Sequence, residues 1–310
     1  MEESKTHYRI QNWSEYNKSL MARGSITFWF SQEIADSWYA DVPDGSRGAP
    51  DTYSDQAIIT CLILKHVYGL TLRQTQGFVT SLINLMGLPI ACPYYTQLSR
   101  RAKNLDVPLP RSSSITDIVV DSSGLKVYGE GEWKVRQHGI SKRRTWRKMQ
   151  LAINPDNHEI VAAALTSHDV SDGEVLEELL DQIPGHLNSV SGDGAYDTNH
   201  CYSAIGKKSA RTIVPPRKNA ILNGKCPERD QVISRINALG GDDNARKKWK
   251  VESGYHRRSL AETAMFRYKT MFGDKLSSRI FETQATEFFI KVLAMNLMTS
   301  LGMPRTIAIN

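Results

Sequence analysis

Ile115-Thr116-Asp117-Ile118-Val119-Val120-Asp121 is the stretch on which the fold turns. A short apolar run of β-branched residues reads as a buried strand, here ending in an acid. Downstream, Met149 to Ile153 and Glu159 to Leu165 are two further β-rich runs. They flank Asn154-Pro155-Asp156-Asn157, whose residues favour turns, so a hairpin is expected. Ser171 and Glu174 form a capping-box pair ahead of Val175, Leu176, Leu179, Leu180 and Ile183, which predicts a helix ended by Pro184-Gly185. Ser189-Val190-Ser191-Gly192-Asp193 reads as a second acid-terminated strand and Thr212-Ile213-Val214 as a third short one. This order predicts an α/β fold, a mixed sheet flanked by helices.

Outward from this core, Leu109-Pro110-Arg111-Ser112-Ser113-Ser114 is linker-like and divides the chain into residues 1–110 and 111–310. The first part reads as all-helical. Helices are expected around Ser31 to Trp38, from Ser54 to Tyr68, after a Thr71 cap, and from Tyr94 to Leu105, where Arg100, Arg101 and Lys103 make the last one basic. Short helices ending in a basic one suit a helix-turn-helix, in which such a helix enters the major groove; a plain helical bundle is the other reading. In the second part, residues 217 to about 250 are basic and poor in apolar side chains, as expected of an insertion running over the surface. Ser259 to Met271 and Glu282 to Leu301 read as closing helices.

The chain carries 39 Lys and Arg against 33 Asp and Glu, a net charge of +6, which suits a partner made of phosphates. No run is long and apolar enough to span a bilayer. The polar N-terminus, with charges of both signs, is unlike a secretory signal, so a cytosolic protein with no membrane partner is expected. Cys61, Cys92, Cys201 and Cys226 form no CxxC pair and read as reduced structural residues. Between Trp133 and Gln150 stand Lys134, Arg136, Lys142, Arg143, Arg144, Arg147 and Lys148 with no acid, a run that fits either a solvated face or DNA contact.

Asp121 and Asp193 each follow a strand-like run, where a sheet opens to ligands, although such an Asp is also a common turn former. The third acid lies in a helical stretch. Tyr255, Arg258, Glu262 and Lys269 sit at offsets of three, seven and fourteen, within roughly 60 degrees of arc if the helix is continuous back to Tyr255. A surface salt-bridge ladder explains the Arg258 to Glu262 spacing, but not its coincidence with two strand-end aspartates. Leu260, Ala264, Met265 and Phe266 fall largely elsewhere on the helix, available for the core. Three carboxylates from separated segments suit two Mg²⁺ ions, or Mn²⁺, and two such ions promote in-line attack on phosphorus.

Tyr255-x2-Arg258-x3-Glu262-x6-Lys269 resembles the tyrosine, arginine, glutamate, lysine signature of insertion-sequence transposases in the four and five families. Val119-Val120-Asp121-Ser122-Ser123-Gly124-Leu125-Lys126 and Ser191-Gly192-Asp193-Gly194-Ala195-Tyr196-Asp197 are similar to the segments carrying that family's first and second catalytic aspartates. The resemblance to the insertion sequence five family covers nearly the whole chain. It implies a ribonuclease H-like catalytic core with Asp121, Asp193 and Glu262 as metal ligands, and an N-terminal helical region that recognises the element's terminal inverted repeats. It also implies cleavage at the transposon ends, joining of the 3′-hydroxyls to target DNA, and a homodimer on double-stranded DNA in the nucleoid of a bacterial cytoplasm. Tyr255, Arg258 and Lys269 would grip the DNA end, and a DNA-contacting insertion would fill residues 217–250. A hydrolytic nuclease on the same core, or a DNA-binding protein without catalysis, are the competing readings.

Overall fold

The structure is a computed structural model and describes residues 7–40, 52–109, 115–127 and 146–309. It forms two compact units, residues 1–107 with 293–310, and residues 108–292.

The larger unit is built on the expected mixed sheet. Its strands are β2 (Asp117–Val127), β3 (Trp146–Ile153), β4 (Ile160–Ser167), β5 (Ser189–Ser191), β6 (Arg211–Ile213) and β7 (Lys275–Leu276). They lie in the order β4-β3-β2-β5-β6, with β7 also on β2. β2, β3 and β4 are antiparallel, joined by the predicted hairpin, whereas β5 and β6 run parallel to β2. One sheet face carries Ile118, Val120, Ala152, Ala162 and Ala164. It is covered by the helices Asp172–Asp181 and Asn199–Lys207 through Leu176, Leu179, Leu180 and Ile205. The capping box at Ser171 and Glu174 starts the first of these helices, as its sequence dictates.

On the opposite face packs the helix Ser259–Phe272, which buries Ala261, Ala264, Met265 and Tyr268. These positions recur at offsets of three, four and seven, so they define the inward stripe. Phe266 falls off that stripe and is 70% exposed, against the expectation that it would join the core.

β2 does not end at Asp121. It continues to Val127 because Ser122 to Lys126 pair with Gln150 to Trp146 of β3; residues beyond the apolar run are carried by the ladder of their neighbour. Residues 217–250 are also more than a surface run. The helices Pro227–Ala238 and Asp243–Ser253 are joined at Gly240 and Gly241, both with positive φ, and Ile236, Ala245 and Trp249 close a small core against Ile213 of β6. So few side chains need burial there that the composition looks polar.

The smaller unit centres on the helices Asp55–Val67, Leu72–Leu85 and Tyr95–Arg101, which pack on one another. It is not all-helical. β1 (His7–Ile10) pairs antiparallel with β8 (Thr306–Ile309), and the side chain of Asn12 donates to Met303 O at 3.1 Å while accepting from Arg305 N at 2.7 Å. Residues 293–310 therefore group with the N-terminal part, whereas the sequence had placed all of 111–310 in one domain. Four-residue strands from opposite chain ends carry no local signal of their pairing.

Candidate active site

Register places the first two acids together. Val119 of β2 pairs with Ser191 of β5, and Asp121 and Asp193 each lie two residues beyond that pair on parallel strands. β5 stops at Ser191 while β2 runs on, so Asp121 faces the space where the shorter strand has ended. Gly192 permits the close approach: a Cβ there would lie 2.7 Å from the Tyr196 ring and 3.1 Å from a Val120 methyl. Asp193 then caps the 3₁₀ turn Gly194–Tyr196, its Oδ1 accepting from Ala195 N at 2.8 Å.

The third acid arrives from the facing helix. Alternation along β2 turns Asp121 and Ser123 toward the helix Ser259–Phe272. Arg258, immediately before that helix, donates to Asp121 Oδ2 at 3.1 Å and also to Glu262 one turn on. Its guanidinium thus links the β2 acid to the helix acid, which goes beyond the surface ladder the spacing alone would explain. Lys269 donates to Ser123 Oγ at 2.6 Å, tying the same helix to β2 two residues past Asp121.

Tyr255 is not on a continuous α-helix. Gly254, at φ 76°, ends the helix Asp243–Ser253, and Tyr255–Arg258 is a 3₁₀ turn, so the regular spacing assumed from sequence does not hold there. The ring nonetheless stays beside the acids. Arg258 lies 5.9 Å from its centroid on the way to Asp121, Lys250 lies 5.1 Å away, and Trp249 packs at 6.3 Å.

The charges register one another. Burial pushes the Asp121 carboxyl up; Ser122 N–H and Arg258 pull it down, and the neighbouring charges of Asp193 and Glu262 push it up further. Burial likewise raises the Tyr255 phenol, with Arg258 opposing and the three acids adding. For Arg258 burial works against the charge, but Tyr255, Asp121, Glu262 and Asp193 outweigh it and raise its pKa. Among the described residues, no three His, Cys, Asp or Glu are arranged closely enough to hold a metal ion as they stand.

The basic run divides. Lys142, Arg143 and Arg144 lie outside the described residues. Arg147 and Lys148, adjacent on β3, point to opposite sheet faces: Arg147 donates to Gln284 at 2.8 Å over the Phe281 ring, whereas Lys148 reaches Asp172 at 3.1 Å and Val170 O at 2.8 Å.

Three further residues carry the site without having been singled out for it: Ser123, Lys250 and Asp197. Asp197 has no exposed side-chain surface and takes Arg229 at 2.7 Å and Arg217 N at 2.9 Å, tying the helix Pro227–Ala238 to the segment that carries Asp193. An acid four residues after Asp193 was visible in sequence, but its partner, 32 residues on, was not.

Comparison with known proteins bears on what this cluster does. Two family models, both described as "Transposase DDE domain", match residues 21–130 and 112–297. Among solved structures, the chain is similar to a piggyBac transposase synaptic complex with hairpin DNA. The identity is 10%, the TM-score 0.44, and the match covers 91% of this chain and 74% of that one. It is also similar to the Mos1 transposase paired-end complex with left transposon end, at 11% identity and a TM-score of 0.21, over 75% and 82%. The second family model spans the sheet, the insertion helices and the segments bearing all three acids, and on that match the chain belongs to the transposase DDE domain family.

Proposed function

We propose that this DNA transposase belongs to the insertion sequence five family and that Asp121, Asp193 and Glu262 are its catalytic acids. The observation that carries the reading is the parallel register of β2 and β5, which sets Asp121 beside Asp193 at the point where β5 ends, with Glu262 linked to Asp121 through Arg258.

The donor set fits divalent cations of the kind transposases of this family generally use. All three donors are carboxylates, hard oxygen ligands suited to Mg²⁺, with Mn²⁺ as a substitute. Burial first, and then the neighbouring charges of Asp193 and Glu262, raise the Asp121 carboxyl, and added positive charge would offset both. Ions held by Asp121, Asp193 and Glu262 would supply activation of a water or 3′-hydroxyl and stabilisation of the leaving oxygen.

The chain's own side chains do the rest. Arg258 and Lys269 hold strand phosphates by charge-assisted bonds, and Tyr255 stacks on or hydrogen-bonds the DNA end. The partners are the element's terminal inverted repeats and a target duplex, engaged by a homodimer in the bacterial nucleoid. The products are cleaved transposon ends whose 3′-hydroxyls are joined to target DNA.

Incubating the protein with labelled transposon ends, a target plasmid and Mg²⁺ tests this. Joined product is expected; nicking without joining would favour a hydrolytic nuclease, and binding with neither would favour a non-catalytic DNA-binding protein.

A further inference from the structure

The sheet face that packs on the helices Asp172–Asp181 and Asn199–Lys207 is apolar at Ile118 and Val120 but turns polar beside Asp121. Residues opposite one another on antiparallel strands share a face. The row Val120, Ala152 and Ala162 is therefore followed by Ser122, Gln150 and Ala164, and that by Gly124, Lys148 and Thr166. Ser122 is the residue after Asp121, so the polar rows lie behind the acid cluster, on the other side of the sheet.

Only part of this patch is satisfied by the chain itself. Lys148 donates to Asp172 and to Val170 O. Gln150 is fully buried, yet among the described residues neither its Oε1 nor its Nε2 has a hydrogen-bond partner. The same holds for Thr166 Oγ1, across from Lys148, and for the buried hydroxyl of Tyr196. Tyr196 enters from the turn after Asp193, its ring packed so close to Gly192 and Val120 that a Cβ on Gly192 would touch both. Burial raises its phenol well above the ordinary range, and among the surrounding charges Asp172 adds most, ahead of Asp121 and Asp193. The hydroxyl thus lies near the carboxylate that Lys148 holds on this same face.

Four unpartnered polar atoms gathered at one place are a costly arrangement, because a buried group without a bond loses more than a made bond returns. Buried polar groups in native proteins are nearly all bonded, and ordered water completes the bonds where side chains do not meet. Ser122 and Ala164, the small residues on either side of Gln150, leave room beside its amide.

We propose that bound water joins the Gln150 amide, Thr166 Oγ1 and the Tyr196 hydroxyl to Asp172, and that Tyr196, fixed by this network, is a positioning residue for Asp193. The second half rests on the catalytic assignment of Asp193 above. Asp193 caps the turn Gly194–Tyr196, and Tyr196 N donates to Asp193 O at 3.1 Å. Whatever fixes the Tyr196 ring therefore fixes that turn, and with it the place of Asp193 beside Asp121. Apolar packing alone lets a ring slide in its plane; a bonded hydroxyl at its tip stops that movement.

Tyr196→Phe and Gln150→Met, singly and together in the full chain, test the network without metal or DNA. If water joins the two groups, each single substitution strands bonds of the other. The folding equilibrium constant from chemical denaturation should then fall about tenfold or more for each, and the double variant should lose much less than the product of the two. Singles as stable as the wild type or more so, as expected when an unbonded buried group is removed, would overturn the network, and so would losses that simply multiply. Should Gln150→Met fail to fold, Thr166→Val completes the same cycle with Tyr196→Phe. Positioning is read in end joining. Tyr196→Phe should lower kcat about tenfold and raise the Mg²⁺ needed for half-maximal rate by a similar factor, with KM for the DNA ends unchanged. An effect on KM alone, or none on kcat and Mg²⁺ demand, would overturn that role. No joining by the wild type would instead condemn the catalytic proposal, while the denaturation cycle still judges the network.

Discussion

Asp121 is held where its charge is least comfortable. Burial raises its carboxyl and the charges of Asp193 and Glu262 add to that, only partly offset by Ser122 N–H and Arg258. The folded chain therefore binds this proton more readily than the unfolded chain, so ionisation costs stability once pH has risen through the folded pKa. At neutral pH without metal, Asp121→Asn should raise the melting temperature, and the gain should vanish below the ordinary carboxylate pKa of about 3.9. Calorimetry at the two pH values checks this; a stabilisation of equal size at both would refute it. Added Mg²⁺ should raise the melting temperature of the wild type more than that of the variant, because ligand binding to the native state stabilises it. If Glu262 holds metal as proposed, Glu262→Gln should abolish end joining while leaving end binding nearly intact, read by gel shift beside the joining assay, since on that assignment it removes a metal ligand and no phosphate contact.

The elements that bring these residues together differ in how far the sequence announces them. The capping box at Ser171–Glu174, the Thr71 cap and the hairpin around Asn154-Pro155 are local and were legible at once, whereas the return bond from Gln74 that completes a box at Thr71 was not read. Asp121 and Asp193 were legible as acids after apolar runs, but their adjacency depends on a register between β2 and β5 that no local pattern encodes. The break at Gly254 was hidden because Tyr255 to Lys269 spaces well as a helix, although a single left-handed glycine ends the preceding one. The element-scale link most open to test is the Asp197–Arg229 pair. Arg229→Ala leaves a fully buried carboxylate with only Arg217 N and the Tyr202 hydroxyl, and should cost about 3 kcal/mol by chemical denaturation, more than Asp197→Asn, which removes the charge needing a partner. Gly192→Ala should push Asp193 away from Asp121 through its clash with Tyr196, lowering joining far more than it lowers stability.

At the scale of the molecule, two strands far apart in sequence meet in one small unit, and this bears on the order of folding. β1 pairs antiparallel with β8, the last strand described. Two four-residue strands are marginal alone. Ile307 and Ile309 remain nearly half exposed, so burial contributes little to holding the pair. What fixes it is hydrogen bonding: Asn12 spans Met303 O and Arg305 N, Gln11 N donates to Arg305 O at 2.8 Å, and Arg23 donates to Gly302 O at 2.9 Å. Closing so long a loop for so few contacts makes this pairing late and easily opened. Asn12→Ala should therefore cost about 1–2 kcal/mol locally, the toll of two backbone groups losing their side-chain partner. Hydrogen exchange should show His7–Ile10 and Thr306–Ile309 losing protection together while β2, β3 and β4 keep theirs. Equal loss in the large sheet would mean that the terminal strands are not the independent, weakly held element their contacts describe.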